Sequence, residues 1–338
     1  MLSIDADAHV IEAEETWAAM TGPMARYRPK IVIPTDNSQQ YWLVDGRAFS
    51  RRVNYNRQIP TDIIEMRDID ARLKHMDQLG VDVQVLYPSL FLRPLTSKPA
   101  VETAMFRSYN RWMADVWKRG KGRLRWVAMA PLMELNEGLE EVRFAKANGA
   151  CGIFMRGIAD DRLLSDPYFF PLYEEARRHD LPICVHASSG NFDWLELFGR
   201  ECGFARFKLA VLTAFHALAW EGIPAKFPGL RFGFIEVRAQ WVPYLVVDLK
   251  KRFEQKNRPW SDDFVRQNNF YIACQTDDDV PYVLRYSGED NLVIGSDYGH
   301  ADTSSELEVF QTFAQRTDMP KGAIDKVLNA NSKALYAL

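Results

Sequence analysis

The feature that most limits how this chain can fold is a repeated alternation of short, almost unbroken apolar runs with longer segments of helical periodicity. The runs are Leu2–Ala6, Val81–Pro88, Leu124–Pro131, Cys151–Gly157, Leu181–His186, Leu230–Glu236, Asn269–Cys274 and Asn291–Asp297. A strand that is apolar along its whole length is buried on both faces, which points to a parallel sheet covered by helices. The spacing predicts those helices over 65–79, with Ile69, Leu73 and Met76 in one stripe and Gly80 as the stop, and over 100–118, 136–148 and 242–253. Asp166-Pro167 is the expected start of another, running to His179. Further helical stretches are expected through Glu221 and from the last strand to Leu338. Eight such units in 338 residues predict one domain, 1–338, folded as a (β/α)8 TIM barrel. An open doubly wound sheet is the alternative, but the first strand is not followed by its Gly-rich phosphate loop. Asp45-Gly46 between two apolar runs predicts a small β-hairpin insertion at about 30–60.

In such a barrel the C-terminal strand ends meet at one mouth. Those ends carry Asp7 and His9, then Tyr87, Arg156, His186, Glu236 and Asp297. Side chains two apart on an extended chain point the same way, so Asp7 and His9 can grip one ion together. Two histidines and three carboxylates at equivalent positions predict a metal site, because buried charges are costly unless paired or bound to a metal. Glu12, His300 and Asp302 are further donors if they reach in, and would suffice for a second ion. For His300, a ligand, a partner of a ligand and a surface loop residue are all open. His75 lies off its helix stripe and is expected at the surface, whereas His216, on an apolar helix, is expected in the core. Tyr87, Arg156 and Arg238 are the candidates for contact with substrate. Either arginine could hold a carboxylate bidentately, or simply pair with a neighbouring acid.

Composition narrows the class of activity. With 47% hydrophobic residues, 26% charged residues and a net charge of −3, nothing favours nucleic acid or an anionic membrane as partner. No apolar run approaches the roughly 20 residues of a membrane span, and acidic residues from Asp5 onward do not suit a signal peptide. Cys151, Cys184, Cys202 and Cys274 lack CxxC spacing, and three of them fall in apolar runs; free thiols in a reducing cytoplasm are expected. A homo-oligomer acting on a small molecule completes the expectation.

Taken together, several pieces resemble the amidohydrolase superfamily, specifically the amidohydrolase-related branch that includes aminocarboxymuconate-semialdehyde decarboxylase. They are Asp5-Ala-Asp-Ala-His-Val-Ile-Glu12, the segment Met66 to Val81, His186, Phe227-Pro-Gly-Leu-Arg-Phe with Glu236 and Trp241-Val-Pro, Gly295-Ser-Asp-Tyr-Gly-His-Ala-Asp302, and Asn331-Ser-Lys-Ala-Leu-Tyr336. The resemblance spans essentially the whole chain. It implies Asp7, His9, His186 and Asp297 as metal ligands, with Asp297 also moving protons. Two positions depart from the branch: Glu236 stands where many members have histidine, and Arg238 stands where glycine is common.

The resemblance implies a metal-dependent hydrolase or carboxy-lyase acting on a small cyclic or aromatic, anionic compound. In that reading Asp297, Glu236 and Arg238 are the catalytic residues. A set of Asp7, Glu236 and Asp297 with His9 and His186 is rich in oxygen, which suits Fe or Mn, with Zn left open. The count of one or two divalent ions is also left open. The alternative is a non-haem di-iron monooxygenase, which a related branch opening with a similar Asp-x-His is known to house.

Overall fold

The computed structural model describes residues 2–35, 39–52 and 54–338. Eight parallel strands form one sheet in sequential order: β1 (Ile4–His9), β2 (Val83–Tyr87), β3 (Leu124–Met129), β4 (Ala150–Arg156), β5 (Ile183–His186), β6 (Phe232–Ile235), β7 (Phe270–Cys274) and β8 (Leu292–Ile294). Every residue of β1 and of β4 is buried, as both-face coverage requires. Helices separate the strands, among them Ile69–Leu79, Pro99–Arg119, Leu135–Ala147, Phe170–Arg178, Leu209–Trp220 and Val242–Gln255. The expected TIM barrel is therefore what forms.

Closure between β8 and β1 is made just past the end of β8. The Asp297 amide donates to the Asp7 carbonyl at 2.9 Å, and the His9 amide donates to the Tyr298 carbonyl at 2.7 Å. Gly295 permits this approach, since a Cβ there would lie 2.4 Å from the Cβ of Asp7. No larger residue could occupy that position without separating the two strands that carry the site.

The predicted helix boundaries hold to within a few residues, and their causes are visible. Asp68 caps the helix Ile69–Leu79 by accepting from the Ala71 amide, and Gly80 ends it at φ 68°. Asp166 caps as anticipated, accepting from the Tyr168 amide. The insertion is a three-stranded antiparallel sheet, Lys30–Val32, Tyr41–Val44 and Arg47–Ser50, with the turn at Asp45-Gly46. It buries Trp42 against Trp17. His75 departs from expectation. It is half-buried, with a ring nitrogen 2.7 Å from the Tyr298 hydroxyl, because the loop after β8 lies over that side of the helix. His216 is also not a core residue. Its Nε2 stands 3.2 Å from Asp248 on the next helix, and both side chains are partly exposed. Cys151, Cys184 and Cys274 are buried free thiols, and Cys202 is exposed. Among the described residues, no helix is long and apolar enough to cross a membrane.

Candidate metal centre

The strand ends do converge. Asp7 Oδ1 lies 3.3 Å from His9 Nε2 and 3.2 Å from His186 Nε2. Asp297 Oδ1 lies 3.4 Å from His9 Nε2, and Glu236 Oε2 lies 3.4 Å from His186 Nδ1. One donor atom each from Asp7, His9, His186 and Glu236 falls within 4.8 Å of the others. Two further groups overlap this one, His9 with Asp297 and His300, and Glu236 with Asp297 and Asp302.

The hydrogen bonds around the imidazoles set their protonation. His9 Nδ1 is 3.0 Å from the Pro88 carbonyl, and His186 Nδ1 is 3.0 Å from the Ala187 carbonyl. A carbonyl only accepts, so in the neutral rings the proton sits on Nδ1 and the Nε2 lone pairs face the carboxylates. Lone pairs opposed to carboxylate oxygens are repulsive unless a cation lies between them. His9 Nε2 and Glu236 Oε2 are accordingly buried without any hydrogen-bond partner. These orphaned atoms, with a mixed imidazole and carboxylate donor set, fit a divalent cation.

His300 differs from the other two. Its Nε2 is 2.8 Å from Ser89 Oγ, which itself donates to the Val10 carbonyl, so the ring must donate there. Its Nδ1 is 2.8 Å from Asp297 Oδ1, a second acceptor. Both nitrogens carry protons in this geometry. Burial alone would lower its pKa, but the Asp297 charge outweighs that and raises it. Burial, and then the charge of His300, push His9 down to about 4. Glu236 is driven well above the carboxylate range by burial and then by Asp297 and Asp7. Burial acts on Asp7 as well, and its carboxyl is held low only to the extent that positive charge faces it from the side of His186 and His9.

A surrounding layer fixes the ligands. Asp5 accepts from the Ser296 amide at 2.9 Å, from Ser296 Oγ at 2.5 Å and from Gln84 at 3.0 Å. Gln84 is in turn held by Arg72 at 2.7 Å. Ser305 Oγ donates to the second oxygen of Asp297 at 2.6 Å. Glu236, Arg238 and Asp297 all adopt left-handed backbone, at φ 63°, 59° and 49°. Each costs of order 1–3 kcal/mol for a residue other than glycine. At position 238, where the branch commonly has glycine, that strain is the consequence of the exchange.

A cavity of about 750 Å³ opens above the cluster. Glu236, His300 and Asp302 line it, while Asp7, His9, His186 and Asp297 lie deeper. Trp42, Leu90, Leu92, Phe207 and Trp241 make its walls largely apolar. Glu12 also lines it but is occupied, accepting from the Ser89 and Leu90 amides at 3.1 and 2.8 Å. Arg238 lines the cavity with its guanidinium ion-paired to Asp277 and 3.2 Å from the Thr303 carbonyl.

Two of the expected substrate contacts lie elsewhere. The Tyr87 hydroxyl is bonded to that of Tyr336 at 2.7 Å in the barrel interior, and its ring sits 4.8 Å from the His186 ring. It underlies the cluster and does not face the cavity. Arg156 donates to the Gly190 carbonyl at 3.0 Å and lies with Glu102 in a small separate cavity. Register pairs the two with His9 and His186, so it is their partners, the Tyr336 hydroxyl and the Gly190 carbonyl, that turn them away from the cavity. Residues that strand-end reading did not single out, Ser89, Arg93 and Lys208, come from the connections after β2 and β5. Only Pro88, which stops β2, signals that Ser89 stands at the mouth.

The amidohydrolase family profile matches residues 4–338. The chain belongs to the amidohydrolase family. Members of this family usually hold a divalent metal, and the amidohydrolase scaffold marks the protein as an enzyme. Its fold is similar to that of an amidohydrolase from Mycobacterium avium subsp. paratuberculosis K-10, at 19% identity and a TM-score of 0.83 over 99% of both chains. It is also similar to 5-carboxyvanillate decarboxylase LigW from Sphingomonas paucimobilis, at 17% identity and a TM-score of 0.67 over 100% of this chain and 99% of that one. A third likeness is 5-carboxyvanillate decarboxylase from Novosphingobium aromaticivorans DSM 12444, solved with manganese and a nitrobenzoic acid. There the identity is 16% and the TM-score 0.71, covering 100% and 96% of the two chains.

Proposed function

We propose that this amidohydrolase is a metal-dependent carboxy-lyase that removes CO2 from a small aromatic or cyclic carboxylic acid. The observation carrying this reading is the site's layout. Orphaned buried donors lie at the floor of a cavity with aromatic walls and with cations at its sides. Likeness of fold to decarboxylases of aromatic acids supports it. Asp7, His9, His186 and Asp297 would hold the ion, with Glu236 completing the set. Mn or Fe suits that oxygen-rich set better than Zn. When bound, the cation supplies a Lewis acid that binds and polarises substrate oxygens.

The chain's own residues supply the rest. Trp42 and Trp241 would flank the ring, and the apolar wall would exclude water from the reacting carbon. Loss of CO2 leaves an electron pair on that carbon, which must take up one proton. His300, protonated and bonded to Asp297, is the proton store nearest the floor. Asp297 would pass that proton on and recover it through His300, and Ser305 would hold the carboxylate in position. Hydrolysis would use the same acids to accept a proton, so the direction of proton flow separates the two chemistries.

The test is CO2 release from a panel of hydroxybenzoates and dicarboxylated phenols, using metal-stripped protein reloaded singly with Mn, Fe or Zn. Metal-dependent release from at least one acid is expected. Release without metal, or hydrolysis of esters and amides with no decarboxylation of any acid, overturns the reading.

A second reading has one observation in its favour. Asp302 with Glu236 and Asp297 forms a further overlapping group, and His300 would add a donor on giving up a proton, enough together for a second ion. A di-iron, O2-dependent enzyme acting on a hydrophobic substrate would use such a pair. Oxygen uptake by iron-loaded protein separates it from the first.

A further inference from the structure

The cations along the cavity are not equivalent. Arg51 and Arg52 are both paired with Glu65, and Arg238 is paired with Asp277. Among the described residues Lys208 makes no ion pair, yet its charge acts on Glu236, Asp277 and Asp302. Arg93, from the loop after β2, shares that lack of an ion pair but differs in that the first charge acting on it is another cation. It lines the cavity, its Nε is buried without a partner, and it forms neither a hydrogen bond nor an ion pair among the described residues. The charge acting most strongly on it is that of another cation, Arg206, whose Nε is likewise buried and unpartnered. Glu12 is the one acid in electrostatic reach, but two backbone amides already occupy its oxygens.

A buried guanidinium that faces another cation, with only a backbone-engaged carboxyl in reach, is poorly compensated in the protein alone. Such an arrangement is relieved by an anion that arrives with the ligand. A guanidinium presents a planar fork matched to a carboxylate, so an oxyanion of that geometry is the ligand it would select.

We infer that Arg93 is the seat for a second carboxylate of the substrate, remote from the group that reacts at the floor. The ligand class is then an aromatic or cyclic dicarboxylate, held at both ends across the cavity. Arg238, which the sequence favours for this role, is already neutralised by Asp277. The inference rests on the proposed substrate class, aromatic or cyclic acids, but its test does not require turnover.

Binding of isophthalate and of benzoate is measured by quenching of tryptophan fluorescence, since Trp42 and Trp241 line the cavity. Both metal-free and Mn-loaded protein are used. In wild type, isophthalate should bind at least about tenfold tighter than benzoate, the size of one charge-assisted contact. Arg93→Gln should bring that ratio close to one and leave benzoate unchanged, and Arg93→Lys should restore part of it. Arg238→Gln should keep the ratio. The ligand-free melting temperature of Arg93→Gln should equal or exceed that of wild type, because an unpaired cation has been removed. A preserved ratio in Arg93→Gln, its loss in Arg238→Gln, or a melting temperature lowered by several degrees overturns the assignment. If no acid is decarboxylated while the isophthalate preference still depends on Arg93, the reaction is wrong and the seat stands.

Discussion

Two buried groups of acids in this protein meet the same electrostatic problem in opposite ways. Glu65, at the rim of the insertion, is surrounded by three guanidiniums. Arg51 and Arg52 reach its Oε1 at 2.9 and 2.6 Å, and Arg67 reaches Oε2 at 2.5 Å. The floor of the cavity holds Asp7, Glu236 and Asp297 with one protonated imidazole, His300, and two rings whose lone pairs face the acids. The chain supplies more cations than Glu65 needs and too few for the floor. A fold can leave charge uncompensated only where something from outside completes it, and left-handed backbone at φ 63° and 49° marks two of these acids, Glu236 and Asp297. The difference separates an acid that holds the structure from acids that await a ligand.

The largest effect should follow from emptying the floor. His186→Ala or Asp7→Ala removes a donor shared by the whole cluster. Activity should fall by more than the roughly 10–100-fold typical of outer partners of a metal ligand, and metal content by plasma emission should drop with it. The far-ultraviolet spectrum should be unchanged. Full activity in either variant without metal would break the distinction.

Glu65→Ala should give the opposite pattern. Three guanidiniums would lose their shared acid, one of them, Arg51, well buried. Leaving buried charge uncompensated costs about 3–5 kcal/mol, so the midpoint of urea unfolding should fall markedly. Metal content of the folded fraction should stay at the wild-type value. Loss of metal without loss of stability would mean that Glu65 belongs to the site.

How far this contrast was legible in the sequence depends on where the residues sit. The floor could be read because each member closes an apolar strand, and strand ends of a parallel barrel converge by topology alone. Gly295 in Gly-Ser-Asp and the exchange of glycine for Arg238 are likewise visible as letters. The cavity wall could not be read in the same way. Arg93 lies in a loop whose course no periodicity describes, Lys208 closes a short helical turn ahead of Leu209–Trp220, and nothing local says which of several arginines has no partner. Arg156 and Tyr87 satisfy the strand-end rule and lie in register with His186 and His9, but the Gly190 carbonyl and the Tyr336 hydroxyl engage their polar ends, which the rule does not describe. His75 shows the same limit on a helix, where a residue off the apolar stripe was covered by a distant loop.

Glu236→Gln sharpens the contrast within the floor itself. The substitution keeps shape and hydrogen-bonding reach but removes the charge. Metal-free protein should lose no stability, in contrast to Glu65→Ala. If one ion serves the site, metal stoichiometry should stay near one per chain while turnover drops. If two ions are held, stoichiometry should fall from two to one or none, together with any O2-dependent activity. Wild type and variant measured side by side decide between the readings.

The smallest effect concerns a third way of handling a buried acid, by a proton. Glu102, on the helix Pro99–Arg119, has no direct ion pair among the described residues, and one of its oxygens accepts from both the Leu132 and Met133 amides at 2.9 Å. Burial pushes its carboxyl up to about 7 from 4.5, partly offset by those amides and by Arg156. The folded protein therefore holds this proton more tightly than the unfolded chain does. Its contribution to stability is complete below pH 4.5 and is lost as pH rises to about 7. Glu102→Gln can keep both amide contacts through its single carbonyl oxygen, and it does not titrate. In metal-free protein, where pH-dependent ligation does not interfere, the melting temperature of wild type should fall relative to that of the variant between pH 5 and pH 8, by a few degrees. All other titrating groups are common to both proteins, so the difference isolates Glu102. Parallel curves would mean that Arg156 neutralises the carboxylate as Arg51 and Arg52 neutralise Glu65, and Glu102 would then join the structural acids.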